Sequence, residues 1–171
     1  TKKLIFFLKT MNLTTCLWSP DNNALEMAEY YTSVFPDSRI TTTGLYDAPN
    51  EHLPGSKAWD IMIVEFTLLG NNQFATLNGG PYFKHSCAVS WMIPCADQKE
   101  LDYYYDKLSA VTEAEMCWWV TDKFGVSWQL TPDNFTEYMR SDEATKKAKL
   151  MAATMEMRRL SFEGIDKAYN S

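Results

Sequence analysis

Apolar and polar residues alternate in short runs along much of this chain, and twice a helical period takes over. Residues 13–18, LTTCLW, read as a strand, and SPDNN behind it supplies turn and helix-capping residues. ALEMAEYYTSVF then sets Leu25, Ala28, Tyr31, Thr32 and Phe35 at helical spacing. FPDSR ends that helix, because proline has no N–H to continue it. ITTTGLYD, WDIMIVEFTLLG and QFATLNG read as strands, with Asn71-Asn72 the expected hairpin turn between the last two. AVSWMI (88–93), PCADQ and KELDYYYDKLSA repeat the order strand, turn, helix. AEMCWWVTD and GVSWQLTP, joined by the turn DKFG, add further strands. One constant offset carries Pro20 onto Pro94, Tyr30 onto Tyr104 and Tyr31 onto Tyr105. Three coincidences inside matching blocks point to a duplicated unit.

Three segments stand outside the repeat. APNEHLPGSKA is long and rich in Pro and Gly, which suits a flap near a site, a dimer contact or a plain surface loop. The tail from Ser141 opens with a helix N-cap and an acidic first turn, and its Met151 and Met155 suggest a packing stripe, toward the core or a second copy. In the opening TKKLIFFLKT, the apolar run Leu4–Leu8 is shorter than the ~7–15 residues of a signal-peptide core. A terminal extension or strand is expected there, with Met11 a candidate start. No apolar run reaches the ~18 residues of a membrane span. A cytoplasmic protein is expected.

Composition narrows this picture. Apolar residues at 46% and aromatics at 14% supply a core, and 171 residues suit one domain built of two similar halves. A net charge of -6 argues against nucleic acid and against an anionic membrane surface. Cys16, Cys87, Cys95 and Cys117 form no CxxC and no cluster with histidine, so free thiols are expected rather than a zinc knuckle.

YYTSVFPDSRI (30–40), LNGGPYFK (77–84) and DKFGVSWQLTP (122–132), in that order and on top of the repeat, resemble the PhnB-like branch of the vicinal oxygen chelate superfamily. That superfamily includes glyoxalase I, the bleomycin and fosfomycin resistance proteins and the extradiol dioxygenases. Members of the branch often carry the label 3-demethylubiquinone-9 3-methyltransferase. The resemblance runs from Asn12 to about Tyr169. It implies an α+β fold of two tandem βαβββ modules, forming curved mixed sheets with helices on the convex side, plus C-terminal helices. Module one would span about 12–80, module two about 85–132 and the helical tail 133–171, within a single domain. It also implies a homodimer, with the sheets paired within one chain or exchanged between two.

Strand alternation converts the resemblance into side chains. Thr14, Cys16 and Trp18 are expected to face the pocket, as are Phe74, Thr76 and Asn78, then Ala88, Ser90 and Met92, then Cys117, Trp119 and Thr121, then Ser127 and Gln129. Leu13, Leu17, Val89, Trp91, Ile93, Trp118, Val126, Trp128 and Leu130 are expected on the helix side. Metal-using relatives place His, Glu or Gln, His and Glu along that face. Here the slots hold Thr14 or Cys16, one of Phe74, Thr76 and Asn78, then Ala88 and Gln129. Ala88 has no donor and Gln129 offers one neutral carbonyl oxygen, so no metal and no cofactor are expected. The alternative, a metal-dependent lyase, isomerase or dioxygenase, would need a rearranged set such as His85, Glu65 and Gln129.

The ligand-binding set is therefore Cys16, Trp18, Phe74, Thr76, Asn78, Ser90, Met92, Trp119 and Gln129, around a small organic molecule. Trp18 and Trp119 would stack on a flat ring, while Asn78 and Gln129 would hydrogen-bond its oxygens. Asn78-Gly79-Gly80-Pro81 reads as a turn shaping the cleft mouth, since no helix starts behind it to hold an anion. Cys16 has no histidine placed to activate it, so nucleophilic catalysis is not expected. A methyltransferase is also not expected, because no glycine-rich strand-to-helix turn is present.

Overall fold

The computed structural model describes residues 13–171; the readings of residues 1–10 and of Met11 lie outside them. The chain divides into two compact units, one ending at Lys84 and one beginning at His85.

The first unit runs β1 (Thr15–Ser19), α1 (Ala24–Val34), β2 (Arg39–Leu45), β3 (Ile61–Leu68) and β4 (Asn72–Asn78). Its sheet has the order β1-β4-β3-β2, with β1 parallel to β4 and the other pairs antiparallel. The helix α1 covers one face. Its Tyr31 stacks on Phe66 at 6.2 Å, and Phe66 stacks on Phe74 at 5.6 Å. Ala24, Met27, Ala28, Tyr31 and Val34 are the buried positions of α1. Leu25 and Thr32, expected on the buried stripe, are only half-buried, one step round the helix from it. Burying each large side chain of this layer contributes about 1.5–3 kcal/mol. The hairpin between β3 and β4 turns through Leu69, Gly70 and Asn71, with φ values of 50° at Leu69 and 82° at Gly70, while Asn72 already belongs to β4. Glycine takes that left-handed geometry at little cost, so Gly70 outweighs the asparagines as turn former.

The second unit runs β5 (Ser90–Cys95), α2 (Gln98–Leu108), β6 (Trp119–Thr121), β7 (Ser127–Pro132), α3 (Phe135–Arg140), α4 (Ala144–Met155) and α5 (Phe162–Tyr169). Its sheet has the order β5-β7-β6, and its first and last strands, β5 and β7, are again parallel neighbours. Where the first unit has β2, the described chain makes a single 3-10 turn, Thr112–Ala114. The architecture is the expected α+β, with a mixed sheet and a helix in each unit and helices toward the C-terminus. At α2, Asp97 Oδ1 accepts from the Glu100 N–H at 2.8 Å, and Glu100 Oε2 accepts from the Ala96 N–H at 2.7 Å. The first bond satisfies a donor that helix geometry leaves open, and the second ties the residue before the N-cap to the first turn.

The tail belongs to the second unit's core. Gln98 Nε2 donates to Leu160 O at 3.1 Å, and its Oε1 accepts from the Phe162 N–H at 2.9 Å. Arg159 lies 3.9 Å from the Tyr105 ring centre and bonds Asp102 and Asp106. The buried face of α4 is Leu150 and Thr154, while Met155 is exposed, so the methionine stripe is offset from the face that packs. Ser141 does not cap α4, which starts at Ala144; its Oγ accepts from the Glu143 N–H at 3.2 Å. Among the described residues no helix is long and apolar enough to cross a membrane.

Candidate functional site

The register of β1 on β4 decides which side chains reach the open face of the first sheet. Leu17 pairs with Thr76 and Ser19 with Asn78. Directly paired residues project to the same side of a sheet. Leu17 and Ser19 are buried at 2% and 0% exposure, beneath α1, and Phe74, Thr76 and Asn78 go with them. Phe74 stacks on Phe66. Thr76 Oγ1 donates to Ala24 O at 2.7 Å. Asn78 Oδ1 accepts from the Ala24 N–H at 2.9 Å, and its Nδ2 donates to Ile61 O at 2.9 Å. Asn78 thus supplies the cap that Asn23, at the N-cap position, does not make with its own side chain.

This corrects the expected orientation of Phe74, Thr76 and Asn78. The strand partners of Cys16 and Trp18 are Ala75 and Leu77. Alternation fixes faces within a strand, but the relation between two strands depends on register, and a one-residue slip exchanges the faces. Thr14 and Ala88 lie outside β1 and β5 altogether, which begin at Thr15 and Ser90.

A cavity of about 510 Å³ opens beside Trp18, lined also by Tyr46, Asn50, His52, Met62, Leu77, Asn78, Gly79, Tyr82 and Phe83. Gly79 exists to let the indole in: a Cβ there would lie 2.1 Å from Trp18 Cη2 and Cζ2. Trp18 Nε1 donates to Gly80 O at 2.8 Å, and the Phe83 ring meets the indole edge-on at 5.0 Å. Gly80 has φ +83°, and a Cβ on it would stand 2.4 Å from His52 O. The two glycines therefore serve two close approaches, one by an indole and one by the loop backbone. Tyr46 Oη donates to Asn78 O and accepts from Asn50 Nδ2 at 3.1 Å. Asn50 Oδ1 accepts from the His52 N–H at 2.9 Å. Asn50 and His52 place the loop that follows β2 in the wall, and Leu53 of that loop is buried. Cys16 is exposed on the Trp18 side of the sheet.

Of the expected set, Trp18 and Asn78 line this cavity, Asn78 with its amide already committed. Tyr46, Asn50, His52, Met62, Leu77, Tyr82 and Phe83 were not anticipated. Tyr82 and Phe83, exposed at 58% and 62%, follow the two glycines after Pro81, and that was the available signal. A second cavity, of about 520 Å³, lies at the start of α1 and is lined by Asn22, Asn23, Leu25, Glu26, Trp59, Asp60, Ile61 and Asn78.

In the second unit Ser90 pairs with Ser127 and Met92 with Gln129, while Trp119 also pairs with Gln129. Ser90, Met92, Trp119 and Gln129 therefore share one face. Gln129 Nε2 donates to Ser90 Oγ at 2.6 Å, and its Oε1 accepts from Trp118 Nε1 at 2.7 Å. Trp118, expected on the helix side, lies with its ring 5.4 Å from Phe135 of α3 while its N–H reaches Gln129. Cys117 is not on β6. It is buried, has φ 60°, and its N–H donates to Met157 O at 2.8 Å. Trp128 is buried on the opposite side, donating through Nε1 to Asp122 Oδ2 at 2.8 Å.

A family model described as 3-demethylubiquinone-9 3-methyltransferase matches residues 11–131. A solved structure, a putative 3-demethylubiquinone-9 3-methyltransferase, PhnB protein, from Bacillus cereus, is 29% identical, with 71% of this chain and 99% of that chain covered and a TM-score of 0.58. A gene product from Arabidopsis thaliana is 18% identical over 71% of this chain and 98% of that one, with a TM-score of 0.46. A protein from Pseudomonas aeruginosa is 16% identical over 72% and 98%, with a TM-score of 0.48. Comparison with curated proteins finds no match. With the duplicated sheet and the match across both units, the chain belongs to the PhnB-like family described as 3-demethylubiquinone-9 3-methyltransferase.

Proposed function

We propose that this protein binds a small organic molecule in the cavity beside Trp18, and does so without the divalent-metal site of glyoxalase-type relatives. The observation that carries the reading is the cavity itself. Its volume of about 510 Å³ falls in the range of ~300–1,000 Å³ typical of ligand pockets, and its walls are mostly aromatic and aliphatic. The donor set supports the metal-free part. Ala88 presents only a methyl group, and the Gln129 carbonyl is engaged by Trp118. Neither suits a cation that wants imidazole or carboxylate ligands.

Saturation-transfer NMR with a set of neutral organic fragments tests the binding. Fragments should bind the native chain and lose their signal with Trp18→Ala; a chain that binds none of them refutes the reading. Elemental analysis tests the metal-free part, which stoichiometric zinc, nickel or iron would overturn. The family description names a methyltransferase, yet the double glycine lies between a strand and a turn rather than before a helix. Calorimetry with S-adenosylmethionine should therefore show no binding, and micromolar affinity would restore the methyltransferase reading. A homodimer is part of the proposal, supported by exposed Trp59, Val89 and Met92. A monomer in sedimentation equilibrium would remove it.

A further inference from the structure

We infer that the Trp18 cavity is selective for flat aromatic molecules and discriminates against anionic ones. This deepens the proposed function and rests on it. The cavity is walled by the rings of Trp18, Tyr46, Tyr82 and Phe83, and among the described residues no Lys, Arg, Asp or Glu lines it.

Most polar atoms of the wall are turned into the protein. The indole N–H of Trp18 is spent on Gly80 O. The Tyr46 hydroxyl lies between Asn78 O and Asn50 Nδ2, and Asn50 Oδ1 holds the His52 N–H. A ligand reaching for any of these would break an existing bond to make a new one, with little net gain. Ring contact is what the wall offers freely, through offset or edge-on packing against fixed rings. Trp18 is fixed by the Gly79 backbone on one side and the Phe83 edge on another, so ordering it costs the complex little.

Negative charge is penalised by the same wall. An anion entering it gives up part of its water, meets no lysine or arginine among the described lining residues and faces the negative side of the rings, whereas a cation is drawn to those faces. His52 lines the cavity, and its Nε2 stands 3.4 Å from Glu51 Oε1, both side chains mostly in solvent at 69% and 87% exposure. These two side chains, close enough to pair, give water-screened interaction rather than a buried anchor.

The test uses one ring with three charges. The full chain is titrated by calorimetry with 1-naphthol, 1-naphthoate and 1-naphthylmethylammonium at neutral pH. Naphthol should bind, naphthoate should bind at least about tenfold more weakly, the ammonium should bind more tightly than naphthoate, and naphthol binding should disappear with Trp18→Ala. Phe83→Ala, at an exposed position that folding tolerates, should weaken naphthol severalfold and guards against loss of fold in the first variant. Naphthoate that binds as tightly as naphthol, and is lost with Trp18→Ala, overturns the selectivity and leaves the cavity as a ligand site. If none of the three binds, or if naphthol is indifferent to both variants, the selectivity and the underlying reading fall together.

Discussion

Replacing Gly79 by alanine tests how the Trp18 wall is built. The new Cβ would stand 2.1 Å from two indole carbons and 2.6 Å from a third. Gly79 is not among the residues at positive φ, so the backbone accepts alanine and the cost lies in the contact. Two responses are open to the protein. The indole stays and the backbone shifts, an overpacking cost of about 1–3 kcal/mol. Or the indole leaves, losing its bond to Gly80 O, about 0.5–1.5 kcal/mol, and its edge contact with Phe83, about 0.5–1.5 kcal/mol. Both routes converge on about 1–3 kcal/mol. Trp18→Ala removes the ring, and in that background Gly79→Ala should be nearly neutral. A double-mutant cycle by urea unfolding should therefore show Gly79→Ala and Trp18→Ala together costing about 1–3 kcal/mol less than their sum. Constant m-values across the four proteins would show that the midpoints report stability. A coupling within about 0.5 kcal/mol of zero would mean the indole does not rest on Gly79, and the cavity wall described here would be wrong.

Asn78→Ala should destabilise by about 1–3 kcal/mol, since it strips the cap from Ala24 and the donor from Ile61 O; hydrogen exchange in the first turn of α1 should accelerate, and unchanged exchange there would contradict the capping role. Asp122→Ala should cost about 2–4 kcal/mol by chemical denaturation, because Oδ1 holds the Phe124 and Val126 N–H groups and Oδ2 holds the buried Trp128 N–H; a loss under ~0.5 kcal/mol would show the turn does not depend on it. Burial, followed by the Glu100, Asp133 and Asp97 carboxylates, pushes the Cys95 thiol up from 9.0 to about 12. The unfolded thiol ionises first, so its contribution to stability is complete below pH 9.0 and is lost as pH rises toward about 12. Cys95→Ala should flatten the alkaline decline in melting temperature across that window, and an identical slope in both proteins would refute the assignment.

The duplicated unit was legible because it rests on local signals: alternation, capping residues and a proline at each strand-to-helix corner. The α+β architecture follows from those signals and from the three motifs. The cavity was less legible because its contacts join residues distant in sequence. Trp18 meets Gly79 and Gly80, and Gly80 meets the backbone of His52. No periodicity encodes which loop will lie against which turn. The same limit explains Asn78, a short amide at a strand end that caps a helix starting at Ala24.

The misassigned face of β4 is different, because the repeat contained the information to place it. The constant offset carries Trp18 onto Met92 and Ser19 onto Ile93. Trp18 pairs with Leu77 as Met92 pairs with Gln129, and Ser19 pairs with Asn78 as Ile93 pairs with Leu130. Leu77 is therefore the counterpart of Gln129, and Asn78 the counterpart of the buried Leu130. Once the second unit was read with Gln129 on the open face and Leu130 opposite, parallel pairing of first and last strands would have assigned Leu77 outward and Asn78 inward. One further element of physics, that in-register parallel partners share a face, was enough. The equivalence also bears on function. The position that is a hydrogen-bonding glutamine in one unit is an aliphatic leucine in the other, next to Trp18. The two open faces of the repeat have thus diverged: one ties its glutamine to Ser90 and Trp118, and the other keeps an apolar floor beneath a cavity.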